Sequence, residues 1–277
     1  MRKAVDVLDL AATYRARGQP FALATVIRTV AATAAKAGAK AVITPDGEIA
    51  GGWIGGGCAR AAVLKAARAA LTDGKPRLVS VQPKDLLEAQ GLEAGQEREG
   101  VAFARNMCPS RGTMDVFIEP MLPRPTVLLF GASPLAVAIA DLARRIGFAV
   151  VAAAPAEELT AFGELDGRVE GFAAPVRAEG ERFVVVATQG RRDFEALKAA
   201  LALEGDYVAF VGSRRKAAAL RTQLAEAGVE KSRLERLRAP AGLDIGGIGP
   251  EEIALSVVAE IVEARRRGQR VAVEGAA

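Results

Sequence analysis

TVLLFGASPLAVAIADLARRIGFAVVAAA, residues 126–154, decides the fold. Residues 126–132 read as a continuous apolar strand, as expected for a strand covered on both faces. Residues 133–147 read as a helix and residues 148–154 as a second strand. The same grammar continues downstream. ERFVVVATQG (181–190) is a third strand, followed by the helix RDFEALKAALAL (192–203). DYVAFVGS (206–213) is a fourth, followed by the helix RRKAAALRTQLAEAG (214–228). Apolar strands alternating with helices predict a doubly wound parallel sheet. The last element is the helix PEEIALSVVAEIVEARRRG (250–268), with Pro250 in its first turn, Ile253, Val257 and Ile261 as its apolar stripe, and Gly268 as its stop.

Upstream the pattern differs. MLPRPT (121–126), with two prolines, is the linker, and it divides the chain into domains 1–122 and 123–277. The first domain reads as small and α+β. A helix over 4–17 precedes a strand over 21–30, and a hairpin over 41–52 turns at Pro45-Asp46-Gly47. A helix ends near Gly74; strands follow at 77–83 and 113–122, with a short helix at 84–90. Residues 91–113 show little periodicity. The fold class is thus a small α+β domain followed by a Rossmann-like doubly wound domain.

Composition narrows the chemistry. The 277 residues include no histidine, so Ser-His-Asp and Cys-His catalysis, His-ligated metals and histidine pH switches are excluded. The two cysteines, Cys58 and Cys108, are too few for a Cys-rich zinc site or an iron–sulfur cluster within one chain. A net charge of +4, with scattered basic residues, favours an acidic ligand over nucleic acid. No run is long and apolar enough for a membrane span, and Asp6 and Asp9 stand where a signal peptide needs apolar residues. Two thiols in such a chain point to a reducing cytoplasm.

Four segments can carry chemistry. In GGWIGGGC (51–58), Gly55, Gly56 and Gly57 precede Cys58 at a predicted helix start. Glycine lets backbone amides approach a ligand, and the helix terminus favours an anion and a thiolate. A tight turn with a small packed cysteine is the structural alternative. In RNMCPSRGT (105–113), Cys108 lies in a loop beside Arg111, a candidate reactive or metal-binding thiol. In FGASPLA (130–136), the dinucleotide fingerprint G-x-G-x-x-G/A reads Gly131, Ser133, Ala136. The second glycine is lost, and Ala replaces the ribose-binding acid after the second strand unless Glu157 or Glu158 substitutes, which disfavours ordinary NAD binding. The loops TQG (188–190) and GSRRK (212–216) place Gln189, Ser213, Arg214 and Lys216 where a doubly wound sheet has its ligand crevice. A helix cap and a solvated basic face are the alternative there.

GGWIGGGCA (51–59), TMDVFIEP (113–120), VLLFGAS (127–133), VGSRRK (211–216) and APAGLDIGGIGPEEIALSVVAEI (239–261) together resemble the XdhC/CoxF family. These are accessory proteins of xanthine dehydrogenase and carbon monoxide dehydrogenase type molybdoenzymes. The resemblance runs from about Gly18 to Gly268. It implies a maturation factor rather than an enzyme. Such a factor binds the molybdenum cofactor (molybdopterin) transiently, protects it, supports its sulfuration by a cysteine desulfurase and passes it to a client molybdoenzyme. It also implies a homodimer. The family's Gly-Gly-Cys motif falls on Gly56, Gly57 and Cys58, and its second cysteine on Cys108.

The resemblance therefore makes Gly55, Gly56, Gly57, Cys58, Cys108, Arg111, Gly131, Ser133, Gln189, Ser213 and Arg214 the cofactor-binding candidates, with Cys58 and Cys108 as metal ligands. Gln189 stands where many members have histidine, and the 131–136 turn lacks their G-A-G-H-V-G pattern. These departures speak against a nucleotide or metal role for the second domain and fit a CoxF-like branch. The competing readings are an NAD(P)-dependent oxidoreductase with a degenerate site and a thiol or persulfide carrier.

Overall fold

The computed structural model describes residues 6–109, 111–172, 180–203 and 207–274, with backbone only for Cys58 and for 268–274. The chain forms two compact units, Met1–Pro123 and Arg124–Ala277.

The first unit runs α1 (Val7–Ala16), β1 (Phe21–Val30), β2 (Lys40–Ile43), β3 (Ile49–Gly52), α2 (Gly57–Asp73), β4 (Arg77–Pro83), α3 (Lys84–Ala89), β5 (Glu97–Arg98), β6 (Val101–Asn106) and β7 (Thr113–Met121). Its strands make one sheet in the order β3-β2-β1-β7-β4-β6-β5. All pairings are antiparallel except β4 with β6, which run parallel. Alternation along the strands places Ala22, Ala24 and Val26 of β1, Val79 and Val81 of β4, and Val116 and Ile118 of β7 on one face. There they pack with Val63, Ala66, Ala67 and Ala70 of α2. Small helix residues at this contact let α2 lie close to the sheet. β5 and β6 correct the reading of 91–113 as aperiodic: β6 pairs with β4 over six residues but is only half-buried, so its sequence shows no clean alternation.

The second unit runs β8 (Thr126–Phe130), α4 (Pro134–Arg145), β9 (Ala149–Ala154), β10 (Gly167–Glu170), β11 (Arg182–Val186), α5 (Asp193–Ala202), β12 (Tyr207–Phe210), α6 (Arg214–Glu226), α7 (Lys231–Glu235), β13 (Leu237–Arg238) and α8 (Pro250–Glu274). The sheet is wholly parallel, in the order β10-β9-β8-β11-β12-β13. Numbered within the unit this is 3-2-1-4-5-6, the doubly wound order of dinucleotide-binding folds. The expected α+β unit followed by a Rossmann-like unit is what the chain forms. Val127, Leu129, Val150 and Ala152 face α4 and α8 on one side. Leu128, Phe130, Val184, Val186 and Val208 face α5 and α6 on the other.

Two short strands, β10 and β13, were not expected; GRVE and LR carry too few apolar residues to stand out. The last helix also continues through Gly268 to Glu274 rather than stopping there. One helical glycine costs only about 1 kcal/mol relative to alanine and does not by itself end a helix.

α8 closes the second unit through a buried acid. Glu260 accepts from the Tyr207 hydroxyl (2.9 Å) and the Gly242 amide (2.7 Å), and it pairs with Arg238 (3.3 Å). Burial, together with the Glu260 carboxylate, pushes the Tyr207 phenol far above its usual range. Gly242 has a left-handed φ of +96°, and a Cβ there would lie 2.3 Å from the Ser256 Oγ of α8. Glu260 and Gly242 thus fix the loop before α8 against the helix. Replacing Glu260 by alanine strands the Tyr207 hydroxyl, the Gly242 amide and Arg238 together. The expected loss is about 3 kcal/mol of stability, read as a lowered urea midpoint at unchanged slope.

Candidate functional site

Ile54 is fully buried and α2 is fixed to the sheet by its own core residues, so Gly55–Gly57 must turn the chain between two anchored elements. Gly55 (φ +97°) and Gly57 (φ +52°) take left-handed conformations that side chains resist. Gly56 is the N-cap of α2 and brings no capping side chain; the first turn also holds no acid. Among the described residues no side chain caps the initial amides of this helix, and the dipole favours an anion there. Cys58 is the second residue of α2 by its backbone; its side chain lies outside the described residues.

The Cys108 loop is held from within. Asn106 donates from Nδ2 to the Gly112 carbonyl (2.6 Å) and accepts from the Cys108 amide (2.9 Å). The Arg111 amide donates to the Cys108 carbonyl (3.1 Å). Gly112 lies so close to Ala32 that a Cβ would sit 2.2 Å from the Ala32 carbonyl oxygen. That approach holds the loop against the segment after β1, whose Ala34 side chain lies 4.0 Å from a Cβ built on Gly55.

Gly55, Gly56, Ala59, Asn106, Cys108 and Met114 share one recess of about 70 Å³. Cys108 is exposed at it. A Cβ on Gly55 would point at the Met114, Ala59 and Ala34 side chains, 3.6 to 4.0 Å away, so the missing side chain leaves a cradle. A broader cleft of about 320 Å³ shares Asn106 and Cys108 with it and is lined also by Lys84, Arg105, Met107 and Arg111. Arg111 is engaged with Asp85 at 2.5 Å, a contact that lowers the Asp85 pKa and raises that of Arg111. Lys84 pairs with Glu88 at 3.1 Å. Arg105 has no ion pair among the described residues.

Behind the cleft, Gln82 donates to the Ser80 hydroxyl (2.8 Å), and Ser80 donates to Asp115 (2.6 Å). The Gln82 Oε1 is buried without a partner among the described residues. Gln82 and Val81 point to opposite faces of β4, so this oxygen lies away from the recess that Val81 lines.

In the second unit the predicted residues are engaged with the fold itself. Gly131 (φ +101°) lies where a Cβ would be 2.8 Å from the Ala187 carbonyl oxygen and from the Thr188 Cα. Ser133 caps α4, accepting from the Ala136 amide (3.2 Å), and donates to the Ala187 carbonyl (2.7 Å). Pro134, next in α4, has no amide hydrogen. The ends of β8 and β11 are thereby stitched together at the point where a dinucleotide would enter. Glu158 pairs with Arg191 at 3.9 Å.

Ser213 caps α6 by accepting the Lys216 amide (3.3 Å), and Arg214 is exposed. Lys216 is not free for phosphate: its ammonium contacts the carboxylate of Asp193, which also accepts from the Thr188 hydroxyl and the Gly190 amide. Gln189 is exposed on the turn this carboxylate braces, with a left-handed φ of +53°. Asp193 was missed in the sequence; its only signal is an acid at a helix start three residues after a glycine.

No group of three or more acidic, cysteine or histidine side chains suited to a metal occurs among the described residues. No helix among them is long and apolar enough to cross a membrane.

Residues 14–82 match the model of the XdhC and CoxI family, and residues 127–261 match the model of the XdhC Rossmann domain. The chain belongs to the XdhC family. It is similar to the Escherichia coli (strain K12) protein YqeB, with 31% identity over 94% of this chain and 46% of that protein. It is also similar to a Bacillus subtilis (strain 168) protein named as a probable xanthine dehydrogenase subunit, with 34% identity over 56% of this chain and 47% of that one. The chain thus spans about half the length of the curated relatives it matches. A Bacillus halodurans crystal structure described as a xanthine dehydrogenase aligns over 95% of this XdhC-family chain and 96% of its own, at 21% identity and a TM-score of 0.45.

Asp193 gives a pH prediction. Burial works to raise its pKa, but Lys216, Thr188 and the Gly190 amide outweigh burial and lower it. A depressed folded pKa stabilises fully above the unfolded value of about 3.9 and loses that contribution as pH falls through the folded value. Asp193→Asn should lower the urea midpoint at pH 7 and flatten its decline between about pH 4 and pH 2.

Proposed function

We propose that this XdhC-family chain is a carrier of the molybdenum cofactor that serves a xanthine dehydrogenase type enzyme rather than a catalyst in its own right. The observation that carries this reading is the meeting of Gly55, Gly56 and Cys108 in one recess beside a cleft in which Arg105 is the cation without an ion pair among the described residues, Lys84 and Arg111 being paired with Glu88 and Asp85. The donor set fits the group. When bound, the cofactor supplies molybdenum held by soft sulfur ligands, on a pterin that ends in a phosphate. Thiols suit such a metal centre, and uncapped helix amides and arginine suit phosphate.

The recess at about 70 Å³ is too small for the whole cofactor and admits one end of it. The cleft of about 320 Å³ that shares Asn106 and Cys108 extends it. Asn106 keeps Cys108 at the junction, the missing side chain at Gly55 leaves room, and Arg105 offers its charge. Cys58 lies one residue into the same helix start. The family membership and the relative named for xanthine dehydrogenase support a client of that type.

The reading extends to transient binding in the cytoplasm, sulfuration of the cofactor by a cysteine desulfurase while it is held, and a homodimeric carrier. Histidine is absent from the chain and, among the described residues, no proton-transfer pair lines the recess, which suits holding better than turnover.

Purified chain mixed with molybdenum cofactor should retain it through gel filtration, with molybdenum and protein co-eluting. Cys58→Ala and Cys108→Ala should each weaken retention by about tenfold, the scale of one lost strong contact. Unchanged retention in the double variant would remove the thiols from the proposal.

A further inference from the structure

Trp53 is the only tryptophan of the chain, and 53% of it is exposed. Its backbone is fixed, since its amide donates to the Lys40 carbonyl at 2.9 Å. Its neighbour Ile54 is fully buried. The indole therefore stands on an anchored stretch of chain rather than on a loose loop.

Its position is specific. A Cβ built on Gly56 would lie 4.0 Å from the Cη2 atom of the indole, and Gly56 itself lines the recess with Cys108. The six-membered ring of Trp53 thus lies beside Gly56, a residue of the recess wall. Glycine at 55, 56 and 57 leaves no side chain between them. Met107, 71% exposed, lines the adjoining cleft. Isolated apolar residues on a surface need no explanation. An indole on an anchored backbone beside a glycine of the recess wall, with a second exposed apolar residue lining the adjoining cleft, is a different arrangement.

We infer that Trp53 is a stacking platform for the fused heteroaromatic ring of the ligand, a pterin. The inference rests on the carrier reading of this same site and names the part of the ligand that the indole recognises. The chemistry is that of aromatic residues that hold nucleobases: one face of a planar ring covers one face of another, with little entropy lost because the indole has two side-chain torsions. The recess then receives the end of the ligand next to the thiols, and Arg105 and the α2 amides lie within the same site for its phosphate.

The test uses the full chain and two probes, 6-carboxypterin and GMP, which share the 2-amino-4-oxopyrimidine edge. Because Trp53 is the single tryptophan, its emission reports on this position alone. 6-Carboxypterin should quench it saturably at lower concentration than GMP, whose guanine can stack on the same ring. Fluorescence anisotropy of the pterin should show about tenfold weaker binding to Trp53→Ala, the scale of one lost stacking face. Trp53→Phe, which keeps a ring, should stay within about threefold of the parent.

Unchanged affinity in Trp53→Ala or equal losses in the two variants overturn the platform, and quenching by GMP at equal or lower concentration overturns its assignment to a pterin. Retention of the complete cofactor, measured on the parent and on Trp53→Ala, separates the two readings. If both proteins retain it equally, the platform falls and the carrier stands. If the parent binds 6-carboxypterin through Trp53 but not the complete cofactor, the carrier falls and the platform stands. If the parent binds neither, both fall.

Discussion

Three glycines between two fixed elements are the constraint on which the first unit's site depends. Ile54 is locked into the core and α2 is locked onto the sheet, which leaves Gly55–Gly57 to make the whole change of direction. Left-handed backbone at Gly55 and Gly57 is the geometry that results. The absence of side chains has three effects at once: the turn is unstrained, the helix start is uncapped, and a cradle opens toward Met114. A residue with a Cβ at Gly55 would both strain the turn and fill the space. Stability and ligand access therefore select the same residue type, and the glycines alone do not separate the two pressures. Cys108 does, because an exposed thiol beside the turn adds nothing to packing.

The second unit shows the opposite arrangement. It has the strand order of a nucleotide-binding fold, yet its polar groups at the crevice satisfy one another. Ser133 bonds to Ala187 across the strand ends, Pro134 removes one amide from the start of α4, and the Asp193 carboxylate takes in Lys216. A buried carboxylate needs such partners, since its desolvation would otherwise push it to the neutral form. Bonds that close a crevice stabilise it against opening.

The fold was legible because strands buried on both faces declare themselves. VLLF, FVVV and YVAF are apolar at nearly every position, and the doubly wound sheet follows from them. β6 and β10 were not legible for the same physical reason reversed: near or at a sheet edge they are half covered, and their sequences mix charge with apolar residues. At the site, the glycine turn and both cysteines could be singled out from residue type alone. Their meeting could not, because about fifty residues separate Gly55 from Cys108 and the two loops come together only through tertiary contacts, Gly112 against Ala32 and Gly55 facing Ala34 and Met114. Lys216 was misread for want of its partner, Asp193, whose acid looks in sequence like an ordinary first-turn residue.

The parallel pairing of β4 with β6 sets a rule for how this architecture can vary. Parallel neighbours need a crossover, and here the chain makes it through α3 and the exposed stretch 93–100. Lys84, Asp85 and Glu88 sit at the start of that crossover and line the cleft, whereas Glu93 to Gly100 touch neither cavity. The domain thus separates a segment whose length is free from segments whose lengths are fixed. Residues 52–58 and 106–112 must keep their count, or the recess loses a wall. The distal crossover can lengthen between α3 and β5 at small entropic cost, while β5 keeps its pairing with β6. It is the natural place for this scaffold to acquire new surface without disturbing the recess.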